Sequence, residues 1–113
     1  MIRTCDFSMD GITVKIASMS VREAEDFVAE GDAFLEQMKS RKVEAKEWLS
    51  RRNRAVVASL LKAVPDSGWT EDRLKDEFDL QFLDALYTKI LAFSGLKPGE
   101  VVAASPLPKS AAA

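Results

Sequence analysis

The sequence predicts a mainly helical α+β protein, in which a short N-terminal β-hairpin is followed by three to four helices. Three observations support this fold class. Apolar and polar residues alternate near the N-terminus, apolar residues recur at three- and four-residue steps further along, and turn or cap residues separate these segments.

Two short strands, residues 2–7 and 12–17, are predicted to form the hairpin. In the second strand, isoleucine and valine alternate with polar or small residues, which is the pattern of a half-buried strand. Asp10-Gly11 supplies the turn, since Gly tolerates the positive φ that tight hairpins need. A two-stranded hairpin is marginally stable alone, so we expect it to pack on helices or to pair its edge with another strand.

The first helix is predicted to begin after Ser20. The Ser20 hydroxyl can cap the free amides of the first turn, and Glu23 can reach back in the capping-box arrangement. The apolar residues that follow form one stripe along this helix: Ala24, Phe27, Val28, Gly31, Phe34, Leu35 and Met38.

Residues 43–64 are predicted to form the longest helix. Its first half is amphipathic, whereas its second half is apolar around most of its circumference, which places the second half at the centre of the fold. Pro65 ends the helix, and a turn over residues 66–68 follows.

Two further helices follow this turn. Thr70 is the predicted cap of a short helix over residues 71–77. Asp79 is the predicted cap of a final helix over residues 80–94, which Gly95 closes.

The chain is expected to form one helical domain over residues 1–100, with the hairpin at its N-terminus, and a flexible C-terminal tail over residues 101–113. No run approaches the roughly 20 apolar residues of a membrane span, and the N-terminus lacks the pattern of a signal peptide. These features predict no membrane association and a cytoplasmic location.

The residue types that most catalytic and metal sites need are missing. The sequence has no histidine and a single cysteine, Cys5, which removes the commonest general base and excludes zinc sites built from those ligands. The five glycines form neither a P-loop nor a GxGxxG motif. A carboxylate pair could still hold a divalent ion. The densest carboxylate group is Glu71, Asp72, Asp76 and Glu77, which equally suits a helix N-terminus with a solvated face. We therefore expect no enzyme activity, no cofactor and no metal site.

A basic middle segment lies between acidic flanks. Residues 39–64 hold eight basic and two acidic side chains, whereas residues 1–38 hold three basic and eight acidic ones. The segment 39–54 supports an alternative function, a small helical DNA-binding regulator. Against it, the positive charges are spread around the helix, and the final helix offers few side chains that bind base edges, so nucleic acid is not an expected partner.

The final helix is apolar on nearly all sides, with polar residues confined to a narrow strip at Gln81, Asp84 and Thr88, with Lys89 beside it. Such a helix must be buried nearly all round, either as the central core helix or because part of its surface meets another chain. The second interpretation predicts a homo-oligomer that binds partner proteins. Its predicted interface residues are Phe78, Phe82, Tyr87 and Phe93, with Arg51, Arg52 and Arg54 as candidates for charge pairing between copies.

Four stretches carry a family resemblance: MSVREAEDF at 19–27, RNRAVVASL at 52–60, WTE at 69–71 and ILAFSGL at 90–96. In this order, after a short N-terminal β segment, they resemble the tail assembly chaperones of long-tailed bacteriophages and prophages. The resemblance covers roughly residues 12–97, and its motifs are structural rather than catalytic.

The resemblance implies a function without chemistry. Such chaperones coat the long, helical, aggregation-prone tape-measure protein, recruit tail-tube subunits around it, and are absent from the mature virion. It implies that this protein self-associates in the host cytoplasm, with the tape-measure and tail-tube proteins as partners. Family members often also occur as a longer frameshifted product, for which the C-terminal tail is the natural starting point.

Overall fold

A computed structural model describes residues 2–40 and 45–96 and confirms the mainly helical fold with an N-terminal hairpin. The elements are β1 (Thr4–Met9), β2 (Ile12–Ala17), α1 (Val21–Lys39), α2 (Ala45–Ala63), a 3₁₀ turn (Pro65–Ser67), α3 (Glu71–Glu77) and α4 (Leu80–Phe93). The predicted tail, 101–113, lies outside the described residues. Within the described residues α1 and α2 each have 19 residues, so the second helix is not longer than the first.

The hairpin turn has the predicted backbone conformation. Asp10 and Gly11 both have positive φ, 54° and 79°, which matches the twist of the two flanking strands. The strands pair antiparallel, with Thr4 opposite Ala17 at the open end. The first strand begins and ends two residues later than predicted, because the pairing register from the turn decides its ends.

The predicted helix caps are present. Ser20 Oγ accepts a hydrogen bond from the Glu23 N–H at 3.1 Å, and the Glu23 carboxylate accepts one from the Ser20 N–H at 2.8 Å. Thr70 and Asp79 cap α3 and α4, and each side chain accepts from the backbone amide three residues on. Beyond α4, Gly95 has a φ of 84°, which glycine adopts without steric cost.

The second half of α2 lies at the centre of the fold, as predicted. This helix packs against β2, α3 and α4. Val56 and Leu60 are almost fully covered. The buried apolar cluster comprises Ile16, Phe27, Trp48, Val56, Leu60, Leu74, Phe78, Phe82, Leu83, Leu86, Tyr87, Ile90 and Leu91. Helix α1 contributes a single side chain, Phe27, to this cluster.

A buried serine attaches the hairpin to α2. Ser59 Oγ accepts a hydrogen bond from the Ala17 N–H at 2.9 Å and donates one to the Ala17 carbonyl at 2.8 Å. Both backbone groups would otherwise be buried without a partner, which is unfavourable. The outer edge of β2 is therefore closed at this position by α2.

Candidate partner-binding surface

The apolar side chains of α4 are covered by the single chain. Its buried residues are Phe82, Leu83, Leu86, Tyr87, Ile90 and Leu91. The prediction that this helix carries more apolar surface than one copy can cover is therefore wrong, because α2 and both strands of the hairpin pack against it. The large apolar residue of α4 that stays exposed is Leu80, in the first turn, at 68%.

Three of the predicted interface residues are core residues. Phe78, Phe82 and Tyr87 are at most 9% exposed. The Phe78 and Phe82 rings lie 4.5 Å apart between centroids, and Tyr87 meets the Trp48 ring edge-on at 6.1 Å. In this fold the three side chains have no surface to offer a second chain, which corrects their predicted role.

Phe93, the fourth predicted interface residue, is half-buried at the end of α4. The Arg3 guanidinium lies over its ring, 4.9 Å from the centroid, and Arg3 Nη2 donates a hydrogen bond to the Phe93 carbonyl at 2.8 Å. Part of the ring surface remains open. Its contribution to an interface stays a prediction.

Two of the three predicted arginines are buried inside the chain. Arg51 Nη2 donates to the Phe27 carbonyl at 2.5 Å, and Arg52 Nη1 donates to Asp84 Oδ1 at 2.7 Å. Their predicted pairing between copies is therefore wrong, because both bind groups of their own chain. The alternative of DNA binding loses the same two positive charges. Arg54 is exposed, and its role between copies stays a prediction.

The Arg51 guanidinium connects α1 to the core. It stacks on the Phe27 ring at 4.0 Å from the centroid. Its Nε and Nη1 atoms and the Tyr87 hydroxyl are buried without a hydrogen-bond partner in the described part of the chain. Burial raises the pKa of the Tyr87 hydroxyl, and the nearby positive charge of Arg51 opposes that shift. Arg51 thus contacts α1 at one residue, Phe27, by stacking on its ring and by donating one hydrogen bond to its carbonyl.

A second attachment of α1 lies near its N-terminus. Glu23 forms an ion pair and hydrogen bond with Lys62 of α2. The hydrogen bond from Lys62 lowers the pKa of the Glu23 carboxyl, and the hydrogen bond from the Ser20 backbone acts in the same direction. Because Glu23 also completes the capping box, one side chain both begins α1 and fixes it to α2.

Between and beyond these attachments, α1 is poorly covered. Of its 19 residues, only Phe27 and Gly31 are buried. Val21 is 76% exposed. The apolar residues that are half-buried are Ala24, Val28, Phe34, Leu35 and Met38. The helix therefore keeps apolar surface that its own chain does not cover.

An apolar groove of about 510 Å³ lies between one flank of α1 and the turn after α4. We call it the α1 groove. Its apolar lining residues are Met19, Val21, Ala24, Val28, Ala29 and Leu96. Two carboxylates of α1, Glu25 and Asp32, also line it. Neither forms an ion pair within residues 2–40 and 45–96.

The two serine hydroxyls that line the α1 groove each accept a hydrogen bond from a backbone N–H of the chain. Ser20 Oγ accepts from the Glu23 N–H, and Ser94 Oγ accepts from the Met19 N–H at 3.0 Å. Small-molecule sites need a few placed polar groups to orient a ligand. The groove instead offers apolar contact and two negative charges.

Sequence reasoning missed this surface, although a signal was present. At about 100° per residue, Val21 and Val28 lie together on one side of the Phe27 face of α1. The stripe predicted from the sequence includes Val28 but not Val21, and the sequence predicts no role for Glu25 or Asp32. A stripe wider than one contact face indicates that part of it faces something other than the core.

The described ranges, 2–40 and 45–96, lack two features. No group of three or more histidine, cysteine or carboxylate side chains there could hold a metal ion. No helix there is both long and apolar enough to cross a membrane. Comparisons with protein-family models, with curated proteins and with solved structures find no match to this chain.

Proposed function

We propose that this protein is a non-enzymatic tail assembly chaperone of a long-tailed phage or prophage. It self-associates, binds the helical tape-measure protein and recruits tail-tube subunits in the host cytoplasm, and it leaves before the virion is mature. The resemblance over residues 19–27, 52–60, 69–71 and 90–96 supports the class of protein. The structural observation that carries the proposal is the uncovered apolar flank of α1.

A chaperone for an extended helical client needs an apolar groove into which one face of a client helix fits. The α1 groove has this character, because its lining is mostly apolar and includes Val21, which the chain leaves exposed. A long client offers many such sites, so copies of a weakly binding chaperone that also contact each other act together along it. Binding of this kind is an equilibrium process and uses no cofactor.

Contact between copies is expected at the hairpin, because the burial of α4 removes the other predicted surface. The described sheet has only two strands, so the outer edge of β1 pairs with no other strand in it. Such an edge is a ready template for a strand of another chain. Phe93 and Arg54 are the remaining candidates for contacts around it.

The test is co-expression with the tape-measure and tail-tube proteins of the same tail gene cluster. The tape-measure protein should be insoluble alone, and it should be soluble and co-purify when this protein is present. An unrelated coiled-coil protein of similar length serves as the control and should gain no solubility. A tape-measure protein that neither co-purifies nor gains solubility would refute the proposal, as would a gene with no long coiled-coil-like reading frame beside it.

A further inference from the structure

We infer that the α1 groove is the docking site for a partner helix that is apolar on one face and basic along the edges of that face. The inference rests on the proposed function, since it names the surface that a client helix would occupy. Its own grounds are the dimensions, the lining and the charge of the groove.

The dimensions of the groove suit about three turns of helix. Its α1 wall runs from Val21 to Asp32, which at a rise of about 1.5 Å per residue is about 16 Å. Over that length a partner helix presents apolar side chains at positions i, i+3 or i+4, and i+7. The volume of about 510 Å³ gives these side chains room to enter.

The charge of α1 selects a basic partner. The helix carries six acidic and two basic side chains, and Glu25 and Asp32 line the groove itself. Lysine or arginine residues beside the apolar face of the partner would meet these two carboxylates. Complementary charges of this kind give specificity and faster association, and acidic helices are rejected by repulsion.

A second copy of this chain fits the groove poorly. Contact between two copies of α1 would bring two acidic helices together. Helix α2 carries basic residues, but its apolar residues Val56 and Leu60 are buried in its own core, and Arg52 is bound to Asp84. The occupant proposed for the groove is therefore a helix of another protein, and occupation by a second copy is an outcome of the test.

The probe is a fluorescently labelled 21-residue peptide helix with leucines on one face and lysines flanking them. A matched peptide carries glutamates in place of the lysines. In fluorescence anisotropy with the full chain, the lysine peptide should bind at least tenfold more tightly than the glutamate peptide. Its affinity should fall as salt is added, since salt screens exposed charges.

Paired variants locate the binding site. Val21→Gln and Asp32→Lys should each weaken binding of the lysine peptide at least fivefold. The control for Val21→Gln is Leu80→Gln, and the control for Asp32→Lys is Asp76→Lys. Both controls change exposed residues outside the groove and should leave binding within twofold of the unmodified chain. Val21, Leu80, Asp32 and Asp76 are all exposed, so circular dichroism should show all four variants folded.

Several outcomes would overturn the inference. The two peptides could bind equally well, or Val21→Gln and Asp32→Lys could leave binding unchanged. A mass that falls from dimer to monomer in Val21→Gln would assign the groove to a second copy instead.

Co-purification of the tape-measure protein distinguishes failure of this inference from failure of the proposed function. If it co-purifies undiminished with Asp32→Lys, the client binds elsewhere, so the inference fails while the proposed function stands. If the lysine peptide binds at the groove but no tape-measure protein co-purifies, the proposed function fails while the docking site stands.

Discussion

Arg52 Nη1 donates a hydrogen bond to Asp84 Oδ1 at 2.7 Å and so joins α2 to α4 across 32 residues of sequence. The arginine side chain is 4% exposed, whereas that of Asp84 is 65% exposed. Asn53 Oδ1 accepts from Arg52 Nε and Nη2, each at 3.3 Å. The sequence predicts that the positive charge of Arg52 pairs with a second copy. In the structure this charge is paired with Asp84 of its own chain.

Removal of the acidic partner should destabilise the fold. Asp84→Ala leaves the buried Arg52 guanidinium without its charged acceptor, and we expect a loss of about 1–2 kcal/mol after allowance for the exposure of Asp84. Urea unfolding followed by circular dichroism measures the change. Asp76→Ala, at an exposed position of α3, should leave the midpoint nearly unchanged. Equal effects of the two variants would show that the ion pair adds nothing to stability.

Ser59, which attaches the hairpin to α2, should contribute more to the free energy of unfolding than a serine on the surface. Ser59→Ala leaves the N–H and carbonyl of Ala17 buried without partners, which should cost about 1–3 kcal/mol. The Ser8 hydroxyl bonds to the Thr13 hydroxyl at an exposed position, so Ser8→Ala should change stability by less than about 0.5 kcal/mol. Thermal unfolding of the two variants gives the comparison. A similar small effect for both would mean that water replaces the Ser59 contacts.

Truncation of a buried and of an exposed apolar residue in α4 should have very different effects on the free energy of unfolding. Phe82→Ala opens a cavity beside Phe7 and Phe78 and should cost about 3–5 kcal/mol of unfolding free energy. Leu80→Ala should change it by less than about 0.5 kcal/mol, because Leu80 is 68% exposed. Light scattering beside circular dichroism gives the decisive readout. A Phe82→Ala chain that stays folded but loses oligomer mass would restore Phe82 as an interface residue.

The contribution of Glu23 to stability should depend on pH. Because the hydrogen bond from Lys62 lowers its pKa from 4.5 in the folded chain, the unfolded chain takes up a proton first as the pH falls. The stabilisation is therefore complete above about pH 4.5 and is lost as the pH falls through the lowered value. Glu23→Gln should be less stable than the unmodified chain at pH 7, and the difference should shrink below pH 4.5.

Urea midpoints measured between pH 3 and pH 7 test this prediction. Glu25→Gln is the matched control in the same helix, because Glu25 has no ion-pair partner in the described chain, and it should change the urea midpoint at pH 7 less than Glu23→Gln does. A Glu23→Gln difference that stays constant down to pH 3 would show that the Lys62 contact does not stabilise the folded chain.

The sequence by itself determined the elements of this protein and most of their ends. Ser20, Thr70 and Asp79 cap the helices that they were predicted to cap, and Gly11 and Gly95 have positive φ where turns were predicted. Each of these features depends on hydrogen bonds and backbone conformations within about four residues, so local sequence is sufficient to specify them.

Only the tertiary structure decided which surfaces the chain covers. The apolar circumference of α4 is the same pattern whether its neighbours belong to this chain or to another, and the hairpin and α2 turn Phe82 and Tyr87 into core residues. By the same packing Arg52 meets Asp84, while Val21 stays exposed beside the turn at Leu96. The spacing of residues indicates which side chains share a face of an element. What that face packs against depends on contacts between residues far apart in the chain.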